Sequence, residues 1–301
     1  MTFLARSSLA LIRASALGLS LALAAGTGAQ AADGKIAVVA AENFYGDIAQ
    51  QIGGDRVQVV SIMNNPDQDP HLFETTPGVV RQIANADIAI LNGADYDPWM
   101  AKLLTAAPHP GRVVISAAAL TGKKPGDNPH LWYGPATMPA MAKAVAAAFS
   151  KADAAHAADY DARLKTVLAS LDRIDARVAQ MRAKYKGAPV TATEPVFGLM
   201  AEAIGLTMRN QSFQLAMMND TEPSARDIAA FENDLKGRKV KALIYNNQVS
   251  EKLTERLRDI AAKAKVPTVG VTETMPAGVH FQDWMLGELD ALDKALSGAA
   301  S

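Results

Sequence analysis

Val57-Gln58-Val59-Val60-Ser61, followed after three residues by Asn65-Pro66-Asp67-Gln68-Asp69-Pro70-His71-Leu72-Phe73-Glu74-Thr75-Thr76-Pro77, is the stretch on which the fold turns. The first run has the apolar, β-branched character of a strand. The last residues are a helix start, with Thr76 at the N-cap and Pro77 at the first helical position, where a missing N–H is no loss. Between them Pro66 and Pro70 restrict the backbone and fix the approach to His71. A strand, a stiff loop and a helix make one unit of an α/β protein, and such proteins bind ligands beyond the C-terminal ends of their strands. An imidazole presented there is a candidate ligand. Taken alone, it also fits an ordinary surface turn.

The same alternation extends outward on both sides. Residues 35–41 are a near-continuous apolar run, read as a buried parallel strand. A helix over 42–52 follows and stops at Gly53-Gly54. Further strands are predicted at 87–91 and 112–116, with a helix between them that starts at Asp97-Pro98-Trp99 and takes Asp97 as its cap. A loop over 122–129 leads to His130, and 136–149 reads as a helix. Four strands alternating with helices predict a parallel α/β lobe.

Residues 155–186 contain neither proline nor glycine. Tyr160, Leu164, Val167, Leu171, Ile174, Val178, Met181 and Tyr185 recur at spacings of four and three, which puts them on one face of one helix. At 1.5 Å per residue it is roughly 45 Å long, longer than one lobe is wide. A coiled-coil dimer would use the same stripe, but about four heptads is close to the minimum for that reading. The stripe is therefore assigned to packing within a monomer, along a helix that joins two lobes and ends at Gly187. Beyond it the alternation resumes, with strands at 189–193, 207–211, 241–245 and 267–271. Helices are predicted at 196–204, 224–235, 250–264 and 282–296, and the tail 297–301 is expected to fray. The expected class is α/β, two lobes, each a parallel sheet flanked by helices. The expected division is a signal peptide at 1–31, an N-terminal lobe at 32–150, a linking helix at 151–187 and a C-terminal lobe at 188–301.

Composition narrows the function. The chain has 301 residues, 49% hydrophobic and 20% charged, which suits a folded globular protein rather than a disordered one. A net charge of -1 leaves no basic footprint for nucleic acid. Arg6 and Arg13, the short apolar core 16–25 and the small-residue site Ala29-Gln30-Ala31 read as a cleavable signal peptide, so export to a bacterial periplasm is expected, with the mature chain beginning at Ala32. No later run is long and apolar enough for a membrane-embedded helix. The absence of cysteine excludes disulfides, thiolate metal ligands, a cysteine nucleophile and a lipid-modified cysteine.

Four candidate ligands stand at strand ends. His71 follows the second strand, His130 the fourth, Glu194 the fifth and Glu273 the eighth. Two belong to each lobe, so facing lobes would bring two imidazoles and two carboxylates to one point. Such a set suits a divalent cation such as zinc or manganese, whose charge two carboxylates neutralise. Each residue also has a plainer role: His130 as a turn residue, Glu194 as an acid favoured at a helix N-terminus, Glu273 as a loop acid. His280 is the nearest competitor for the fourth place, but it lies beyond the strand end. His109 falls in a proline-flanked turn and His156 at the start of the long helix. Trp99, Trp132 and Trp284 are read as packing anchors, and Glu222 as a lead-in to the helix capped at Ser224.

The stretches Asp69-Pro70-His71-Leu72-Phe73-Glu74-Thr75-Thr76-Pro77, Ile83-Ala84-Asn85-Ala86-Asp87, Leu91-Asn92-Gly93 through Asp97-Pro98-Trp99, and Asn128-Pro129-His130-Leu131-Trp132 resemble the zinc/manganese solute-binding proteins of ABC importers, the group with the TroA-like fold. The resemblance covers nearly the whole chain after the signal. It implies two α/β lobes joined by a long helix, with one divalent transition metal (zinc or manganese, with iron(II) also open) in the cleft. It implies delivery of that ion to a membrane permease, with no catalysis; modest lobe movement is expected because a continuous helix makes a stiffer hinge than flexible strands would. His71 and His130 match the two ligands of the first lobe. Glu194 holds the third position, where zinc-type members usually have histidine and manganese-type members glutamate, and the phenylalanine that follows in the latter corresponds to Phe197. Thr272-Glu273-Thr274 matches a Thr-Asp-Ser stretch, with a side chain one methylene longer. The histidine-rich loop of many zinc members has no counterpart at 122–128. Two rival expectations are a metal-dependent hydrolase using the same cluster and an adhesion protein with a structural metal.

Overall fold

A computed structural model describes residues 34–65, 73–249 and 251–298. The predicted signal peptide, His71 and the last three residues lie outside the described residues. Eight strands and eleven helices follow in order among those described. The first half comprises β1 (Ile36–Glu42), α1 (Asn43–Gly53), β2 (Val57–Met63), α2 (Pro77–Ala84), β3 (Ile88–Leu91), α3 (Pro98–Ala106), β4 (Val113–Ser116), α4 (Ala117–Thr121) and α5 (Thr137–Ala152). The long helix α6 (Ala157–Tyr185) comes next. The second half comprises β5 (Pro189–Ala192), α7 (Gly198–Ile204), β6 (Thr207–Arg209), α8 (Gln211–Met218), α9 (Ala225–Lys236), β7 (Leu243–Asn246), α10 (Lys252–Ala264), β8 (Thr268–Val271) and α11 (Phe281–Ser297).

Each half builds a parallel four-stranded sheet, and the two share one plan: β2-β1-β3-β4 and β6-β5-β7-β8. In each, the first strand of the half lies next to the third, so all C-terminal strand ends emerge on one edge. Alternation along the strands gives every sheet two buried faces. Val38 and Ala40 of β1 join one large core, whereas Val39 and Ala41 pack under α2 and α3 with Ile83 and Met100. In the second sheet Ile244 joins the large core, and Leu243 packs with Phe213, Phe231 and Leu257 of the outer helices. The large core runs without interruption from one sheet to the other.

The long helix explains that continuity. It has 29 residues and buries Tyr160, Val167, Leu171, Ile174, Val178 and Met181, with Leu164 and Tyr185 half-buried against the same core. It packs on α1 and α5 of the first lobe and on α7 and α11 of the second. The stripe is thus covered by the chain itself. Polar contacts add to the join. Asn43 Nδ2 donates to the Met275 carbonyl at 2.7 Å, Asn43 Oδ1 accepts from Met275 N at 3.1 Å, and Phe281 N donates to Asp47 at 2.9 Å.

Local signals held at Thr76, whose hydroxyl accepts from Val79 N above Pro77, and at Ser224, which accepts from Asp227 N. Asp97 differs from its expected role. It stands at the N-cap of α3 but makes no capping bond, because its carboxylate is engaged elsewhere, as described below. Glu42 extends β1 rather than opening α1, and α7 starts at Gly198, two residues later than expected, because Glu194 and Pro195 are held in the preceding turn. Helices α4 and α8 were not anticipated, being too short to show a period.

Candidate metal centre

His130 is buried, with 1% of its surface exposed. It enters a single 3-10 turn, Leu131–Tyr133, and the preceding Asn128 fixes its ring. Asn128 Nδ2 donates to the Pro195 carbonyl at 2.8 Å, which turns Asn128 Oδ1 toward the histidine. That oxygen accepts from His130 N at 3.0 Å and lies 2.8 Å from His130 Nδ1. A carbonyl oxygen can only accept, so Nδ1 carries a proton, and in the neutral imidazole Nε2 presents its lone pair. Nε2 is buried and has no hydrogen-bond partner. It stands 3.3 Å from Glu273 Oε2. Two acceptors therefore face each other in a buried place, an arrangement that a cation would satisfy.

A second chain of contacts supports His130 from below. Asn92, at the exit of β3, donates to the Pro129 carbonyl at 2.8 Å and accepts from the Tyr45 hydroxyl at 2.7 Å. Its own turn is strained: Gly93, Ala94 and Asp95 all have left-handed φ values, 75°, 51° and 64°. Asp97 holds that turn by accepting from Asn92 N and Gly93 N, both at 2.7 Å. This is why Asp97 leaves α3 uncapped. Burial raises the Asp97 carboxyl above its ordinary range. Glu42 lies fully buried beside it, and burial first, then the Asp97 charge, pushes its carboxyl well up.

The glutamates of the second half come from strands that flank β7. Glu194 follows β5 and is 7% exposed; Glu273 follows β8 and is 1% exposed. Asn246, the last residue of β7, donates from Nδ2 to Glu194 Oε2 at 2.8 Å and to Glu273 Oε1 at 2.7 Å. Tyr96 donates its hydroxyl to Glu273 Oε2 at 3.0 Å, across from the first lobe. Gln248 accepts from Glu273 N and from Thr274 N, which shapes the turn beyond β8.

Three of the four predicted ligands thus lie together: His130 meets Glu273 directly, and Glu194 is joined to Glu273 through Asn246. Among the described residues no three histidine or carboxylate side chains are spaced to hold an ion. The fourth candidate, His71, lies outside the described residues. His280 is accounted for otherwise. Its Nδ1 is 2.7 Å from Asp47 Oδ1, it is largely exposed, and that partner raises its pKa. His156 is bound to Asp153 at 2.8 Å. Sequence reasoning missed Asn92, Asn128, Asn246 and Gln248, the amides that orient the cluster. Asn92 and Asn128 fall within the stretches that carry the resemblance, though with no role assigned there, and Asn92, Asn246 and Gln248 stand at or just beyond the ends of parallel strands.

Residues 38–295 match the family model of zinc-uptake complex component A, periplasmic (ZnuA). The zinc-binding protein TroA of Treponema pallidum is 26% identical over 251 residues, 80% of each chain. The manganese ABC transporter substrate-binding lipoprotein PsaA of Streptococcus mitis is 24% identical over 298 residues, 92% of this chain and 94% of its own. Among solved structures, TroA superposes with a TM-score of 0.74 at 22% identity, over 87% of this chain and 99% of that one. The solute-binding protein FpvC of Pseudomonas aeruginosa, solved with Mn2+, gives 0.72 at 18%, over 88% and 100%. Both share the fold described above.

Proposed function

Because the chain belongs to the ZnuA family of periplasmic components of zinc-uptake complexes, we propose that it is an extracytoplasmic solute-binding protein that captures one divalent transition metal, zinc or manganese, between its lobes and passes it to an ABC permease. The ion is the cargo, held by His71, His130, Glu194 and Glu273. The lobes comprise residues 32–150 and 188–301, linked by 151–187. Residues 1–31 direct export to the periplasm and are removed. The protein acts as a monomer, with the stripe of α6 used internally.

The observation that carries this reading is the meeting of the His130 Nε2 lone pair and Glu273 Oε2 at 3.3 Å, both buried. A borderline cation accepts both imidazole nitrogen and carboxylate oxygen, and two carboxylates offset its charge. Membership in a family of solute-binding components leaves the hydrolase and adhesion readings without support.

Chelator-stripped protein titrated calorimetrically with zinc, and separately with manganese, tests the proposal. One site is expected, lost or strongly weakened in His130→Ala and Glu273→Ala. Failure of the wild-type protein to bind either ion would overturn the assignment.

A further inference from the structure

We propose that Asn246 determines which metal the site prefers, by holding one oxygen of each glutamate out of reach of two-point coordination. This rests on the reading that Glu194 and Glu273 are ligands, and goes beyond it by naming what limits their denticity.

The sheet order places Asn246 for this task. β7 lies between β5 and β8, and Asn246 pairs in register with Val271. A side chain at the C-terminal end of β7 therefore falls between the acid that follows β5 and the acid that follows β8. Its amide orientation is fixed from the other side, because Gln248 N donates to Asn246 Oδ1 at 3.0 Å. The backbone N of Asn246 is also held, donating to Thr193 Oγ1 at 3.3 Å. The residue is 4% exposed. An amide nitrogen has two hydrogens, and both are used, one on Glu194 Oε2 and one on Glu273 Oε1.

The consequence is chemical. A carboxylate oxygen has two lone pairs, so one that accepts from Asn246 keeps a lone pair in a fixed direction; bringing both oxygens of a glutamate symmetrically onto one ion turns the group and strains that bond, and losing it in a buried site leaves a donor without a partner. With the bonds kept in this geometry, each glutamate favours the ion through its other oxygen, which for Glu273 is Oε2, an oxygen that also accepts from Tyr96. Such a set suits zinc, which is content with four ligands. Manganese favours oxygen-rich, six-coordinate surroundings and gains most from a second oxygen of each carboxylate. The amide is neutral, so it clasps the two acids without cancelling the charge that attracts the ion. A lysine there would clasp them and abolish that attraction.

The test is the ratio of zinc to manganese affinity, read by competition with a chromophoric chelator at pH 7.5, for wild type, Asn246→Ala and Asn246→Asp. Zinc-loaded samples are also compared by X-ray absorption for coordination number. Alanine removes the clasp; aspartate keeps its shape and replaces the donor with an acceptor, so the result does not hinge on one variant folding. Both are expected to lower the zinc-over-manganese ratio by about 10-fold or more, a typical effect for a residue that orients a ligand, and to raise the zinc coordination number. Equal changes in both affinities, with coordination number unchanged, would overturn the proposal and leave Asn246 as mere support. A wild-type protein that binds neither ion would instead overturn the function proposed above, a distinguishable result.

Discussion

The hydroxyl of Tyr133 lies 2.8 Å from Oε2 of Glu288, a hydrogen bond that joins the first lobe to the last helix of the second. The same hydroxyl donates to the Thr272 carbonyl at 2.7 Å, one residue from Glu273. A phenol has one proton and cannot donate to both. The pattern closes if Glu288 brings a proton of its own: its Oε2 then donates to Tyr133, while its Oε1 accepts from Trp284 Nε1 at 2.9 Å and from Thr272 N at 3.2 Å. Burial agrees, pushing the Glu288 carboxyl up from 4.5 to about 8 despite the hydrogen bonds from Thr272 N and Trp284, which act in the opposite sense.

A pH dependence follows. The folded protein keeps this proton up to about pH 8, whereas the unfolded chain releases it near 4.5. The folded state thus binds more protons in that window, and stability falls as the pH rises. The contribution is complete below 4.5 and lost by the time the pH has passed the folded value. In Glu288→Gln the donor is permanent. Thermal melts from pH 4.5 to 8.5 are expected to show a gentler decline in this variant than in wild type. Parallel curves would show that Glu288 is ionised in the folded protein.

Asn128 is expected to control metal affinity without touching the ion. It fixes the tautomer of His130 and ties the His130 loop to Pro195. Asn128→Ala is expected to weaken zinc binding about 10- to 100-fold. Asn128→Asp retains an acceptor for Nδ1 and is expected to recover part of that loss, although it cannot donate to Pro195. Calorimetric titration of the two variants separates a role in orienting the ring from simple loosening of the loop, which would make them equally weak.

Gly93 tests the strained turn. Its φ is 75°, and a Cβ there would stand 2.9 Å from both Ala118 Cβ and Ser116 Oγ. Gly93→Ala is expected to cost about 1–3 kcal/mol in denaturant unfolding, from backbone strain and crowding together. Because Asn92 and Asp97 act through this turn, zinc affinity is expected to fall as well. An alanine variant as stable as wild type would mean that the turn relaxes without effect.

The architecture was legible where the chain speaks through periodicity or local chemistry. The α6 stripe named its own buried face, and Thr76-Pro77 and Ser224 announced helix starts. His130, Glu194 and Glu273 were singled out by their place after apolar strands, and the fold brings the three together. What stayed hidden depends on partners distant in sequence. Asn246-Asn247-Gln248 reads as turn chemistry, since asparagine is common wherever a chain bends. Only the sheet order shows that Asn246 sits between two acids. Asp97 looked like a cap because capping residues share its chemistry. Its actual partners, the amides of Asn92 and Gly93, could be known only once the β3 exit was seen to fold back on it.

The uninterrupted core between the two sheets limits how cargo can leave. Prising the halves apart as rigid jaws would draw residues of both, among them Phe44, Phe197 and Trp284, into water together. At about 25 cal/mol for each Å² of apolar surface uncovered, even a modest gap demands as much work as a folded protein has in reserve. Discharge by a smaller rearrangement, confined to the strand exits and their amide braces, needs far less. A receiving transporter that plucked at those exits would empty the site while the body of the molecule stayed shut.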